Sequence, residues 1–389
     1  MKNFKRLSLI FIALILLVAC QEQGSSQVNT KKEKTSVTLT DVRGRKVTIP
    51  QPVQRVYYPY YYENLLAVGG EDIFTKIIAT SAYDTENYSK TFWDILMNKA
   101  KGFKDVQDIG STFQDDFDLE KLISLKPDLV ILANYQYEGI GENQIKTLED
   151  LNIPVVFIDF SDLSEQSHYE SLKILGKVFN QEARAQELID NYKEKLQTLK
   201  NTLSSIPEDQ LKSAYFELRF NSPNFKDYGM TYGKNGMMGY MSQIASVKNI
   251  FDSIYDKNGD ANPEHLFKEN PDLIFLDGGN FGGKNTVFIR TGFTVDEKDT
   301  QKTLHELIHA REGWPQLKAY KNNQIYAVDN DIMRTMRDYV VAEYLAKVAY
   351  PDYCQDIDPI KDNQEFIKKY LPILPHDSCF FTQWEGIND

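Results

Sequence analysis

The chain has 389 residues, 42% of them hydrophobic and 26% charged, and its formal net charge is −12. An acidic chain without a basic run is a poor candidate for nucleic-acid binding. Once the N-terminal segments described next are set aside, about 350 residues remain, which is more than one hydrophobic core organises, so we expect two domains.

The first twenty residues, MKNFKRLSLIFIALILLVAC, have the pattern of an export signal. Three basic residues precede an apolar run from Leu7 to Val18, which is too short for a comfortable permanent membrane span. The closing LVAC resembles the lipobox of bacterial lipoproteins, in which cleavage exposes the cysteine for acylation. We therefore predict a lipoprotein signal peptide over residues 1–19 and a lipid on Cys20 that anchors the protein to the extracytoplasmic face of the membrane. The alternative is an ordinary cleaved signal with Cys20 as a free thiol.

Residues 21–36, QEQGSSQVNTKKEKTS, contain one apolar residue and no periodicity. Such a segment cannot bury enough apolar surface to fold. We interpret residues 20–36 as a flexible tether, so the folded part begins near Val37.

The first predicted strand is followed by a run of tyrosines, YYPYYYEN. In open α/β sheets ligands bind beyond the carboxyl ends of strands, where tyrosine rings can stack on a planar ligand. Further tyrosines follow the next two predicted strands, and ordinary packing of a lobe edge is the alternative role for all of them. The candidate ligand-binding tyrosines are Tyr57, Tyr58, Tyr60, Tyr61, Tyr83 and Tyr135.

A repeat organises the chain. LEKLISLKPDLVIL at 119–132 and PEHLFKENPDLIFL at 263–276 share residues at a constant offset of 144. Each predicts a short helix, a Pro-Asp turn and a buried strand, and each is followed by a further helix and a strand ending in aspartate, Asp159 and Asp329. Two copies indicate two α/β lobes, 37–180 and 206–350, each with a mostly parallel sheet.

Between the copies, Gln181 to Ser204 contains no glycine or proline and has apolar residues at steps of three and four. This spacing predicts one amphipathic helix of about 36 Å, over residues 181–205. A single helix between lobes is a stiff connector.

Arginines concentrate in the second half of the chain. The candidates for a cleft are Arg219, Arg290, Arg334 and Arg337. Guanidinium groups suit carboxylate, catecholate or phosphate, so arginines in the cleft would select an anionic ligand. The alternative for each is a surface salt bridge.

The segment DGGNFGGKNT fits the spacing G-x-x-x-x-G-K of a phosphate-binding loop. Asn285 replaces the hydroxyl residue that would ligate magnesium, and the residues that follow predict a strand where a helix is needed. We interpret the segment as a glycine loop at the rim of the cleft.

The pentapeptide HELIH at 305–309 has the spacing of a zinc-peptidase helix, with His305 and His309 as ligands and Glu306 as general base. No histidine follows until His376, and Gly313 is one residue too late for the usual continuation. An exported zinc hydrolase is therefore the distant alternative. We predict no metal site and no catalytic residue.

Residues 351–389 form a C-terminal extension that contains Cys354 and Cys379. Because we expect the chain to be exported, we predict a disulfide between them, and two separate thiols are the alternative.

Taken together, the lipobox, TDVRGRKVTIPQPVQRV (40–56), the repeated units, the connecting helix and GWPQLKAYKNNQIYAVD (313–329) resemble the periplasmic-binding-protein family that serves ABC importers of iron-siderophores, haem and cobalamin. The resemblance covers about residues 37–350. It departs from the family pattern in extra residues between Gly278 and Glu312 and in the C-terminal extension.

The resemblance implies two α/β lobes bridged by one helix, a ligand held in the cleft between them, and no catalysis. It implies that Glu120 and Glu264 dock to arginines of the permease, since they match the family's docking glutamates. The helix dipole is the other reason for an acid at these positions. We expect a monomer that delivers a ferric siderophore to an ABC permease and its ATPase; haem, cobalamin or an oxyanion such as molybdate are the alternative ligands.

Overall fold

The computed structural model describes residues 35–218, 223–282 and 287–386, and from Thr35 onwards the chain forms one compact unit. The predicted signal peptide, Cys20 and Arg219 lie outside the described residues. No helix within the described ranges has the length and apolar character of a membrane span.

The N-terminal lobe has a hairpin and a parallel sheet. Its strands are β1 (Ser36–Thr40), β2 (Lys46–Pro50), β3 (Val56–Tyr57), β4 (Ile77–Thr80), β5 (Gln107–Asp108), β6 (Leu129–Ala133) and β7 (Val155–Ile158). Its helices are α1 (Tyr62–Gly69), α2 (Ala82–Glu86), α3 (Lys90–Lys99), α4 (Leu119–Ser124), α5 (Tyr137–Asp150) and α6 (Glu165–Phe179). Strands β1 and β2 pair antiparallel, and the order in the parallel sheet is β5-β4-β3-β6-β7.

Helix α7 (Glu182–Leu203) joins the lobes and has 22 residues. Its apolar residues are buried at the predicted three- and four-residue steps, from Ala185 to Leu203. The Tyr192 hydroxyl donates to Asp338 of the C-terminal lobe (2.7 Å). The connector is therefore packed along its length and is held to the second lobe by a buried hydrogen bond.

The C-terminal lobe has a larger, mixed sheet. Its strands are β8 (Ser213–Leu218), β9 (Met230–Tyr232), β10 (Lys248–Asn249), β11 (Asn258–Asp260), β12 (Leu273–Gly279), β13 (Ile289–Arg290), β14 (Ile325–Asp329) and β15 (Phe381–Gln383). Its helices are α8 (Met237–Ile244), α9 (Pro263–Glu269), α10 (Glu297–Ala310), α11 (Lys318–Lys321), α12 (Tyr339–Ala349) and α13 (Pro359–Tyr370). The order is β11-β9-β8-β12-β14-β15; β9, β11 and β15 pair antiparallel with their neighbours, and β10 and β13 pair parallel with β8 and β12.

The two repeated units have the same local structure. Helix α4 leads to β6, and helix α9 leads to β12. Each helix begins with a capping side chain, since Asp118 accepts from the N–H of Lys121 and Asn262 accepts from the N–H of His265. Both strands are buried, because each lies inside its sheet and contributes apolar side chains to a different core cluster on each face.

The C-terminal extension is built into the second lobe. Strand β15 pairs with β14, and α13 packs on α12. The proposed disulfide is wrong, because Cys354 and Cys379 are both free. Cys354 lies beside Tyr350, just beyond the end of α12, whereas Cys379 lies beside Tyr344 in its middle, so the two thiols are at different turns of the helix.

Candidate ligand site between the lobes

A cavity of about 50 Å³ lies between the lobes, beyond the carboxyl ends of strands from both sheets. The segment after β3 lines one side and the segment after β14 lines the other. The lining residues are Tyr60, Tyr61, Tyr62, Glu63, Asn64, Thr85, Tyr88, Ser89 and Phe92 from the N-terminal lobe, and Phe293, Asp331, Arg334 and Thr335 from the C-terminal lobe. This volume holds a few water molecules or a small ion, far below the roughly 300–1,000 Å³ of typical ligand pockets.

Four aromatic rings extend from this cavity towards solvent, and we call them the aromatic shelf: Tyr60, Tyr61, Tyr135 and Phe113. The rings of Tyr60 and Tyr61 are 4.7 Å apart, and both lie edge-on to Tyr135, at 6.0 and 6.3 Å. Phe113 stacks on Tyr135 at 5.2 Å with an interplanar angle of 16°, and it is 49% exposed. The shelf therefore ends in a ring with one free face.

Tyr61 is held in an unusual backbone conformation at the start of α1. Its φ of 59° lies in the left-handed region, which costs a residue with a Cβ about 1–3 kcal/mol. Its hydroxyl forms a hydrogen bond with Ser161 (2.7 Å), after β7. The turn and this bond fix the ring against Tyr135.

Two of the predicted tyrosines lie in the core instead. Tyr57 ends β3 on the face opposite the cavity, fully buried and packed on Phe117. Tyr58 is 1% exposed and packs on Tyr62. The prediction that they line the cleft is corrected, because alternation along the strand places Tyr57 in one core and Tyr58 in another, and neither reaches the cavity.

Tyr83 is 38% exposed at the surface and does not line the cavity. It lies in α2, close enough to Tyr88 for their hydroxyls to interact. The prediction that it lines the cleft is therefore corrected, because its side chain is exposed on α2 outside the set of residues that line the cavity.

Arg334 is the arginine that the described structure brings to the cavity. It lies in the turns after β14, where it donates to the side-chain oxygen of Asn330 (2.9 Å) and contacts the sulfur of Met237 (3.0 Å). Its charge also acts on Tyr60 of the other lobe, where it opposes the rise in the pKa of the hydroxyl that burial causes. Asp331 lies 3.9 Å away, so the guanidinium is partly neutralised.

Arg337 and Arg290 lie elsewhere, so their predicted roles are corrected. Arg337 is fully buried and forms a two-pronged ion pair with Glu63, at 2.7 and 3.0 Å. Turns rather than a helix separate Arg337 from Arg334, so the two side chains do not share one face. Arg290 is at the surface, where it pairs with Asp299 (2.9 Å).

Buried carboxyl groups surround the cavity. Burial raises the pKa of Asp84 to about 6, although hydrogen bonds from Ser111 and Gln136 oppose the shift. Burial likewise raises the pKa of Asp277 to about 7, against hydrogen bonds from Tyr232 and Asn330. The pKa of Asp331 is also raised by burial. Burial therefore raises the pKa of all three carboxyl groups above the ordinary aspartate value.

The HELIH histidines lie on the exposed face of α10. Their rings stack at 3.8 Å, while Leu304, Leu307 and Ile308 pack into the lobe. His305 borders a surface hollow with Trp384 rather than the cavity between the lobes. Among the described residues, no group of three or more possible ligands could hold a metal ion.

Glu120 and Glu264 occupy equivalent positions, each as the second residue of its short helix, and both are exposed. Sequence reasoning therefore placed both on accessible surfaces of separate lobes.

Sequence reasoning missed Phe113, because β5 has two polar residues, Gln107 and Asp108, and gives no apolar signal before the loop that carries this ring.

Two α/β lobes joined by one long helix, with a lined cavity between them, define a solute-binding protein of an ABC importer. A model of the periplasmic binding protein family matches residues 56–332, and the chain belongs to this family. Its members are non-enzymatic solute carriers, which excludes the zinc-hydrolase alternative and indicates an extracytoplasmic location.

Several relatives are similar to this chain over most of its length. The uncharacterized ABC transporter substrate-binding lipoprotein YvrC of Bacillus subtilis is 27% identical over 88% of this chain and 96% of its own. The molybdate-binding protein MolA of Haemophilus influenzae and the iron(3+)-hydroxamate-binding protein YxeB of Bacillus subtilis are 22% and 21% identical, each over 85% of this chain and 90% of its own. The crystal structure of the TroA-like periplasmic binding protein FepB from Veillonella parvula has a TM-score of 0.82 at 26% identity, covering 90% of this chain and 100% of its own.

Proposed function

We propose that this protein captures a ferric siderophore in the cleft between its lobes and delivers it to an ABC permease. The aromatic shelf beside Arg334 is the observation that carries the proposal. Rings that end in an exposed face offer apolar contact to the organic part of a chelate, while the guanidinium can donate to its oxygen atoms.

The charges of the cleft favour a chelate of low net charge. The four arginines predicted from sequence would have favoured an anion, but Arg290 and Arg337 lie outside the cavity and Asp331 partly neutralises Arg334. A ferric trishydroxamate has no net charge on its metal centre, in contrast to a tricatecholate. The iron(3+)-hydroxamate-binding relative supports this choice.

Delivery requires an anchor and a docking surface. We propose that Cys20 carries the lipid and that the protein acts as a monomer whose exposed Glu120 and Glu264 contact arginines of the permease. Support comes from the lipobox-like sequence, from the relative named as a lipoprotein, and from the matching positions of the two glutamates on the two lobes.

A small oxyanion is the second candidate, because the cavity volume favours it. About 50 Å³ beside Arg334, Tyr60 and Tyr88 is near the size of a tetrahedral anion. The crystal structure of the molybdate-binding protein MolA of Haemophilus influenzae has a similar fold, with a TM-score of 0.63. Haem and cobalamin, like siderophores, are larger than this cavity, so their binding needs a wider cleft.

The visible spectrum and metal content of protein purified from iron-replete cells test the proposal first. A ferric siderophore is expected to give a charge-transfer band and one iron per chain. Molybdenum without a visible band would support the oxyanion, and a haem or cobalt-corrin spectrum would replace the ferric siderophore by that ligand.

A further inference from the structure

Two main-chain hydrogen bonds join the lobes at the glycine loop after β12. The N–H of Lys90 donates to the carbonyl of Asn280 (2.8 Å), and the N–H of Gly282 donates to the carbonyl of Asn87 (3.0 Å). Ser89 and Asn280 thereby form an isolated parallel bridge. The loop belongs to the segment of the second lobe where the chain departs from the family pattern.

The close approach requires glycine at position 282. A Cβ there would lie 2.6 Å from the carbonyl oxygen of Glu86, which is too close for any side chain. Because the neighbouring atom belongs to the backbone, it cannot rotate away. Any residue other than glycine would therefore push the two lobes apart at this point.

Side-chain contacts continue from this bridge into the cavity. Phe92 stacks on Phe293 of the second lobe at 5.8 Å, and Ser89 lies close to Asp331. All four residues line the cavity. The bridge thus closes the same space that the aromatic shelf borders.

We propose that Asn280–Gly282 and Asn87–Lys90 form a latch that holds the lobes together and must release before a large chelate enters. This inference rests on the proposed function for the identity of the chelate, whereas the latch itself consists of contacts between residues of this chain. With the latch shut, the cavity holds about 50 Å³. Release of the latch therefore costs part of the binding free energy and lowers the observed affinity.

A comparison of Lys90→Pro with its matched control, Lys90→Ala, tests one of the two main-chain hydrogen bonds of the latch. Lys90 is the first residue of α3, where its N–H has no partner inside the helix and proline fits. Both variants lose the ion pairs of the lysine side chain with Glu86 and Asp94, but only proline removes the N–H that binds Asn280.

The hydrogen-exchange rates of single amides, measured by mass spectrometry on protein without added ligand, show whether the latch hydrogen bonds are formed. We expect the Gly282 amide to exchange about tenfold faster or more in Lys90→Pro than in Lys90→Ala. In Gly282→Ala the Lys90 amide, on the other lobe, should accelerate similarly. Amides of β12 should stay protected in all variants. Equal exchange of Gly282 in the proline and alanine variants, or no protection in the wild type, would overturn the latch.

Stopped-flow binding of ferrioxamine B, a ferric trishydroxamate, tests the gating role. Association should be about tenfold faster in Lys90→Pro than in Lys90→Ala, since more of the protein is open. Equal association rates would overturn the gate. If the exchange result holds while neither variant binds ferrioxamine B, haem or cobalamin, the latch stands and the proposed ligand class fails.

Discussion

Arg334 and Arg337 are three positions apart and have different roles. Arg334 reaches the cavity and Tyr60, whereas Arg337 is buried against Glu63 and also donates to Asn363 (2.7 Å). A helical pattern would have placed both on one face. The segment consists of turns, so their directions depend on tertiary contacts that a local pattern does not show.

Phe113→Ala should weaken binding of ferrioxamine B about two- to twelvefold, because the removed ring contributes about 0.5–1.5 kcal/mol of aromatic contact. Isothermal titration calorimetry measures the change. Leu151→Ala is the matched control, since Leu151 is equally exposed (51%) and lies at the end of α5, away from the cavity. An unchanged affinity in Phe113→Ala would remove the ring from the site.

Glu343→Gln should change the pH dependence of stability. Burial, with nearby Asp362 next in importance, raises the pKa of Glu343 to about 8. Between the pKa of the unfolded chain and pH 8 the folded state keeps a proton that the unfolded state loses, so stability falls as pH rises.

Glutamine carries no charge at any pH and can still donate to Asp362. The variant should therefore match the wild type near pH 4.5 and exceed it at pH 9, by an amount on the order of 3 kcal/mol. Urea unfolding at both pH values measures this. A variant that is less stable than the wild type at pH 9 would contradict the raised pKa.

At the scale of elements, the repeated helix-strand units were predictable because each combines a capped start, a Pro-Asp turn and an apolar run. Strands β3 and β5 have two residues each, and their neighbours in the sheet define them rather than their own pattern. Strand β15 was missed for a related reason, since its place on β14 depends on where the C-terminal extension returns.

Charge reversal of both docking glutamates, Glu120→Lys with Glu264→Lys, should abolish or strongly reduce uptake in cells while ligand affinity stays unchanged. The two substitutions remove attraction to cationic groups of the permease and add repulsion. Glu138→Lys with Glu306→Lys is the control, because both are exposed glutamates outside the repeated helices. Normal uptake by the first pair would remove the docking proposal.

At the scale of the whole molecule, the lobes are held together beside the connecting helix. Glu63 and Asn64 of the first lobe bind the Arg334–Arg337 segment, and α13 adds Asn363. The repeat and the helical pattern between its copies were sufficient to predict two lobes and a helical connector. The closure of the cavity was not predictable from sequence, because it depends on contacts between residues 190 or more positions apart, such as Lys90 with Asn280 and Glu63 with Arg337.

Arg337→Ala should destabilise the protein by about 3–5 kcal/mol, since it leaves Glu63 buried without its partner. Arg290→Ala is the control: its ion pair with Asp299 is about half exposed, so the loss should be below about 1 kcal/mol. Denaturant unfolding followed by circular dichroism measures both. Similar losses in the two variants would show that the buried pair does not hold the lobes together.

The most direct test of the central claim is a titration of intrinsic fluorescence with ferrioxamine B in the wild type and in Arg334→Ala, with haem, cobalamin and molybdate as competitors. Capture of a ferric chelate between the lobes predicts saturable quenching at one chelate per chain. Arg334→Ala should bind about tenfold or more weakly, because it loses the charged donor that faces the cavity. Absence of quenching by any ferric chelate would contradict the account.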